Sequence, residues 1–130
     1  MDILGTGVDL VENARIASSI ERFGSRFLER VFLPGEIAYC RAMRDPAPHY
    51  AARFAAKEAL SKAFGCGIGE AMAFQDIEVV RADSGAPSLR LHGGAAALAA
   101  QWKLARCLLS LSHTEHYAVA QVILTGPGTA

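Results

Sequence analysis

Residues 51–64 constrain the fold more than any other stretch, because they carry an uninterrupted helical periodicity that ends abruptly at Gly65, Gly67 and Gly69. At about 100° per residue, Arg53, Lys57, Ser61, Glu58 and Lys62 follow one another around half of the helix. Ala55, Ala56, Ala59, Leu60 and Ala63 occupy the other half, and Phe54 interrupts the polar arc. A helix with one small-residue face must lie closely on something, and its polar face is either solvated or a binding surface. Before it, Asp45-Pro46-Ala47-Pro48 reads as a stiff linker.

The segments on either side supply what this helix packs against. Residues 2–11 mix β-branched residues with Gly5 and Gly7 and place Asp9 near the end of a first strand. Asn13 is positioned to cap a helix running to Phe23; Gly24 breaks it before a second helical stretch, 25–31, and Pro34 begins a third that ends near Met43. Beyond the glycines, 76–80 and 88–92 alternate as a hairpin turned at 83–87. Residues 95–103 are helical, and 107–112 with 117–124 form a second hairpin. Helices concentrated early and paired strands late predict an α+β fold, a single antiparallel sheet with helices packed on it. The 130 residues, 52% of them apolar, suffice for one core, with residues 1–125 as one domain and 126–130 as a loose tail.

Composition excludes several classes of function. Thirteen basic and thirteen acidic residues cancel, which argues against bulk binding to nucleic acid or to a membrane surface. No apolar run is long enough to span a bilayer, and a signal peptide pattern is missing, so the cytosol is the expected compartment. Cys40, Cys66 and Cys107 have neither zinc-site spacing nor the density of a disulfide scaffold and are expected to be reduced. Anion recognition, if present, is local.

Three groups of residues carry candidate chemistry. The polar arc offers three cations, a carboxylate and a hydroxyl, a set that suits a polyanion accompanied by a metal ion, although a solvated face with a Glu58/Lys62 pair has the same pattern. The loop 65–69 lets backbone approach a phosphate or sugar, but it follows its helix, opposite to a phosphate-binding loop, and a plain helix terminus reads the same way. Leu109-Ser110-Leu111-Ser112-His113 alternates as a strand, with serines on one face and His113 at its end; the Gly-x-Ser-x-Gly elbow of a hydrolase is missing. Asp9 and Glu58, brought together, would be a carboxylate pair of the kind that holds Mg²⁺.

Taken together, Gly5-Thr-Gly-Val-Asp9-Leu-Val-Glu12, Arg53-Phe-Ala-Ala-Lys57-Glu58-Ala and Leu111-Ser112-His113-Thr114 resemble the holo-acyl-carrier-protein synthase family of 4′-phosphopantetheinyl transferases, in order and in separation, from Ile3 to Leu124. One departure is Leu33, where the family commonly has a threonine before the proline. The resemblance implies a cytoplasmic homotrimer with coenzyme A between neighbouring subunits, and transfer of its phosphopantetheine to a serine of apo acyl carrier protein for fatty acid biosynthesis, releasing 3′,5′-ADP. It implies Asp9 and Glu58 as Mg²⁺ ligands, and Lys62 at the pyrophosphate, so that Asp9, Glu58 and Lys62 form the catalytic set. Arg53 and His113 fall near the 3′-phosphate, with Gly65 and Gly67 leaving room for adenosine; Lys57 and Ser61 are further candidates. An acidic helix of the carrier protein would meet Arg15, Arg22 and Arg26, which share one side if residues 13–30 form a continuous helix. The alternatives are a non-catalytic module binding coenzyme A or a nucleotide, which has no need of both carboxylates, and a carrier-binding protein without turnover.

Overall fold

A computed structural model describes residues 1–127. The elements run β1 (Asp2–Glu12), α1 (Asn13–Phe23), α2 (Ser25–Val31), α3 (Pro34–Arg41), α4 (Pro46–Ala63), a single 3-10 turn (Phe74–Asp76), β2 (Ile77–Arg81), β3 (Pro87–Leu91), α5 (Gly93–Gln101), β4 (Arg106–His113) and β5 (Tyr117–Gly126). This is the expected α+β class. The strands form two antiparallel sheets instead of one: β1-β5-β4, and the β2-β3 hairpin beside it. Local alternation marked both hairpins, but the pairing of β1 with β5 joins the two ends of the chain, which no local pattern can announce.

Helix α4 starts five residues earlier than its periodicity suggests, at Pro46, with Asp45 in the extended N-cap position. Pro46 and Pro48 fall in the first turn, where a helix has no use for the missing N–H groups, so the supposed linker is helix. The helix then runs across the three-stranded sheet, buried on most of its circumference. Its small-residue face receives β1 at very short range. A methyl group placed on Gly7 would lie 1.9 Å from the carbonyl oxygen of Ala59, and one on Gly5 would lie 2.1 Å from that of Ala63. Glycine on the strand and alanine on the helix therefore let backbone meet backbone. Val122 and Leu124 of β5 fill the space alongside, and Phe64 meets Trp102 edge-on with centroids 4.9 Å apart.

On its other flank α4 is tied to the first-half helices by a buried ion pair. Lys57 is fully buried; its Nζ donates to Glu36 Oε1 at 2.7 Å, to the Val31 carbonyl at 2.8 Å and to that of Phe74 at 3.2 Å. Glu36 also accepts the backbone N–H of Leu33 through Oε1 at 2.8 Å and that of Val79 through Oε2 at 2.7 Å. One ion pair thus joins the end of α2, the start of α3, α4, the 3-10 turn and β2. It also satisfies the backbone N–H of Leu33 at the start of α3, although Leu33 itself has no side-chain acceptor for the first turn of that helix.

Two boundary expectations change. Glu12, still paired with Tyr117 in the sheet, is the N-cap of α1, and Asn13 inside the helix donates from Nδ2 to the carbonyls of Thr114 (3.0 Å) and Glu115 (3.1 Å), holding the β4–β5 turn. Gly126 closes β5 opposite Asp2, so the structured part extends past residue 125; residues 128–130 of the expected tail lie outside the described residues.

Two stability outcomes follow. Gly7→Ala should cost about 3 kcal/mol, because its methyl meets helix backbone that cannot move aside, measured by urea unfolding against wild type. Lys57→Met or Glu36→Leu alone leaves a buried charge without its partner and should cost about 3–5 kcal/mol, whereas the double variant should lose clearly less than the sum. Additive losses in that double-mutant cycle would contradict a coupled pair.

Candidate active site

Asp9 leaves β1 on the face that looks at α4, two residues beyond Gly7, and the close approach of strand and helix brings it to the first exposed edge of the helix. There Lys62 Nζ meets Asp9 Oδ1 at 2.9 Å and the Val8 carbonyl at 3.2 Å. Glu58, one turn earlier, lies close enough to be affected by both. Burial pushes its carboxyl above the usual carboxylate range, the negative charge of Asp9 pushes it further, and Lys62 partly offsets them. Asp9 and Glu58 line a cleft of about 270 Å³ whose walls include Arg15, Ile16, Phe27 and Phe54, and the exposed ammonium of Lys62 adjoins it through its bond to Asp9. Phe27 also borders a second cleft, of about 260 Å³, with Arg26 and Arg30.

This pair is an oxygen-only donor set. No group of three or more His, Cys, Asp or Glu residues with ligand geometry occurs among the described residues, so a closed cage of protein ligands is not on offer. Two carboxylates with the remaining positions open are what Mg²⁺ accepts, since it keeps water and takes substrate phosphate oxygens. The mutual repulsion recorded in the raised Glu58 is the electrostatic complement of a cation.

The remaining expected site residues are elsewhere. Arg53 is 3% exposed and sits with its guanidinium carbon 4.2 Å above the Tyr39 ring. His113, at the end of β4, meets His49 of α4 edge-on, with ring centroids 5.1 Å apart. Nine residues separate Arg53 from Lys62, about 180° of helix rotation. The two ends of the polar arc lie on opposite sides of α4, but only the end with Glu58 and Lys62 reaches the surface; Arg53, Lys57 and Ser61 are buried in the protein. Lys57 serves the Glu36 pair, and Ser61 Oγ donates to the Glu58 carbonyl at 2.7 Å. Neither is on the surface that the arc suggested; for Lys57 the reason is that α3 and the end of α2 close over it.

The glycine loop is the helix terminus that one of its two readings described. The N–H of Gly65 donates to the Lys62 carbonyl at 2.9 Å, and those of Cys66 and Gly67 to the Ser61 carbonyl at 3.2 Å each, so these groups finish α4 and are not free for a phosphate. Gly65 and Gly67 have φ of +79° and +69°, and a methyl on either would meet nothing within 4 Å. What the loop offers a ligand is open space beside Lys62. Arg15 and Arg22 share a side of α1, but Gly24 (φ +56°) ends that helix, and Arg26 belongs to α2. All three are exposed. Sequence reasoning did not single out Glu36, Tyr39, His49 or Arg81, whose neighbours come from distant parts of the chain.

A profile described as the 4′-phosphopantetheinyl transferase superfamily matches residues 5–122. The chain belongs to that superfamily. Within it, this phosphopantetheinyl transferase is 52% identical to the holo-[acyl-carrier-protein] synthase of Koribacter versatilis over 94% of its own length and 98% of the relative's. It is 46% identical to that of Geobacter sulfurreducens, over 96% and 99%. Its structure resembles the crystal structure of the synthase from Neisseria meningitidis with a TM-score of 0.88 at 31% identity, covering 95% of this chain and 99% of that one. The Helicobacter pylori synthase in complex with coenzyme A gives 0.83 at 33% identity, covering 92% and 99%. The α+β architecture of this transferase is thus that of solved members, and its Asp9, Arg53, Glu58 and His113 all fall inside the matched span.

Replacing Asp9 by Asn should lower the Glu58 pKa, because it removes one of the causes of the rise and frees Lys62 to approach Glu58. The check is a carboxyl carbon NMR titration of both proteins. An unchanged or higher midpoint would mean that the two carboxylates do not sense each other.

Proposed function

We propose that this chain is a holo-acyl-carrier-protein synthase, moving the 4′-phosphopantetheine of coenzyme A to a serine of apo acyl carrier protein and releasing 3′,5′-ADP. The observation that carries the reading is the meeting of Asp9 and Glu58 in one cleft, with Lys62 adjoining it, inside a chain of the transferase superfamily. Asp9 and Glu58 would hold Mg²⁺ with the coenzyme A pyrophosphate. Bound there, Mg²⁺ supplies positive charge to the phosphate oxygens on which charge builds as 3′,5′-ADP departs.

The chain's own groups do the rest. Lys62, on the exposed edge of α4, neutralises a pyrophosphate oxygen; its present bond to Asp9 holds it in place for that role. The serine oxygen of the carrier forms the new bond to phosphorus, the bond from phosphorus to the 3′,5′-ADP oxygen breaks, and the serine proton goes to a base. Glu58 is that base in this reading, directly or through a water, its proton affinity lowered by the Mg²⁺ it would share with Asp9. Arg15, Arg22 and Arg26 are exposed cations without an ion-pair partner among the described residues, suited to steering an acidic carrier helix toward the cleft.

The separation of Arg53 and His113 from the carboxylates supports a site shared between subunits. One coenzyme A cannot easily touch both sides of α4 in a single subunit, but it can bridge Asp9, Glu58 and Lys62 of one subunit and Arg53 and His113 of a neighbour. The outer face of the three-stranded sheet favours association: Val8 is 58%, Leu10 65% and Leu108 40% exposed, on a sheet with nothing packed on that side among the described residues. A homotrimer, as the family resemblance implies, would cover that face. No helix among the described residues is long and apolar enough to cross a membrane, in keeping with a substrate and carrier met in the cytoplasm and with a role in fatty acid synthesis.

Incubation of apo acyl carrier protein with this chain, coenzyme A and Mg²⁺ should add one phosphopantetheine by intact mass, and a chelator should abolish the gain. Asp9→Ala should lower the rate by about 10²–10³-fold while carrier binding persists. Coenzyme A binding with no mass gain on several carriers would favour the non-catalytic binding module.

A further inference from the structure

Three basic side chains meet Tyr39 of α3, and a fourth, His113, joins them through His49. The guanidinium carbons of Arg53 (α4) and Arg81 (the end of β2) lie 4.2 and 5.1 Å from its ring centre. His49 of α4 meets the same ring edge-on, centroids 6.2 Å apart, and meets His113 of β4 at 5.1 Å. Charges of one sign brought this close repel unless something offsets them. Among the described residues, Arg53, Arg81, His49 and His113 have no carboxylate within 4.0 Å; the ion pairs present belong to Lys57, Lys62, His92 and His116. Arg53 Nη1 spends itself on the His49 carbonyl at 3.3 Å, and its buried Nε–H has no acceptor. The cluster therefore lacks an anion. A phosphomonoester, a dianion with three free oxygens, can accept bonds from several directions at once, as these four side chains require.

We propose that His49 and Arg81 are binding residues for the 3′-phosphate of coenzyme A, joining Arg53 and His113 around Tyr39, and that His49 makes the grip on this phosphate dependent on pH. The inference rests on the reading above, in which coenzyme A is the substrate and Arg53 and His113 face its 3′-phosphate; it adds two ligands to that pocket, from residues that neither the family resemblance nor the sequence pattern assigned.

The groups facing His49 are Tyr39 of α3, Asp45 at the head of α4, Arg53 on the next turn, Arg81 of β2 and His113 of β4. Burial holds its imidazole below the ordinary value, the charges of His113, Arg53 and Arg81 add to that, and Asp45 opposes them. The free pocket thus disfavours the protonated ring, and an arriving dianion favours it. Binding draws in a proton, so the part of the affinity due to His49 grows as pH falls toward the imidazole range and fades above it.

The test is calorimetric binding of coenzyme A and of 3′-dephospho-coenzyme A, at about pH 6.5 and about pH 8, to wild type, Arg81→Ala, His49→Phe and His49→Gln. Arg81 is exposed, so its variant keeps the fold, and affinity for the dephospho ligand checks this for every variant. Arg81→Ala should weaken coenzyme A by about tenfold and leave the dephospho ligand unchanged. Both His49 variants should weaken coenzyme A several-fold near pH 6.5 and hardly at all near pH 8. If wild type binds the two ligands equally, the 3′-phosphate reading of Arg53 and His113 fails. If wild type prefers coenzyme A and the variants keep that preference at both pH values, or weaken both ligands alike, His49 and Arg81 are not phosphate ligands and the inference is overturned.

Discussion

The contact on which the site depends is the one between the backbones of β1 and α4. Because Gly5 and Gly7 have no side chains and α4 presents Ala59 and Ala63, the strand lies directly on the helix. That closeness brings Asp9, on the same face of the strand, within 2.9 Å of Lys62 and within electrostatic reach of Glu58. Any side chain at either glycine would lift the strand and draw the carboxylates apart. The packing that stabilises the fold and the geometry that gathers the two carboxylates are therefore one feature.

The Lys57–Glu36 pair plays the complementary part on the opposite flank. A fully buried ion pair is expensive to desolvate, and here nearly every donor and acceptor of the pair is matched, to each other and to four backbone groups. Its effect is to seat α2 and α3 over the middle of the polar arc. The arc is thereby divided into an edge with carboxylates and Lys62, and an edge with Arg53 among aromatic rings and other cations. In the proposed reading a ligand that needs both edges bridges two subunits, assembled through the bare apolar sheet face.

What could be read along the chain was what depends on near neighbours. The break at Gly24, the start of α3 at Pro34, the β2–β3 hairpin, whose turn falls one residue earlier than expected with Pro87 already in β3, and the alternation of Leu109 and Leu111 against Ser110 and Ser112 came through, because local periodicity and turn chemistry decide them. The same reasoning misplaced what depends on distant partners. Pro46 and Pro48 looked like a linker although they open a helix, and Lys57 looked like a surface cation because Glu36 is far away in sequence.

The sequence by itself determined the α+β class and the identity of the long helix, which follow from periodicity and residue type, properties of the chain alone; the transferase superfamily was legible in it as a resemblance carried by three spaced motifs. Only the tertiary structure decided that β1 pairs with β5, that Asp9 meets Glu58 and Lys62, and that Arg53 turns away from them toward Tyr39, His49, Arg81 and His113. Those outcomes are set by which surfaces exclude water together and which buried charges must find partners, and both are settled only when segments distant in the chain are packed.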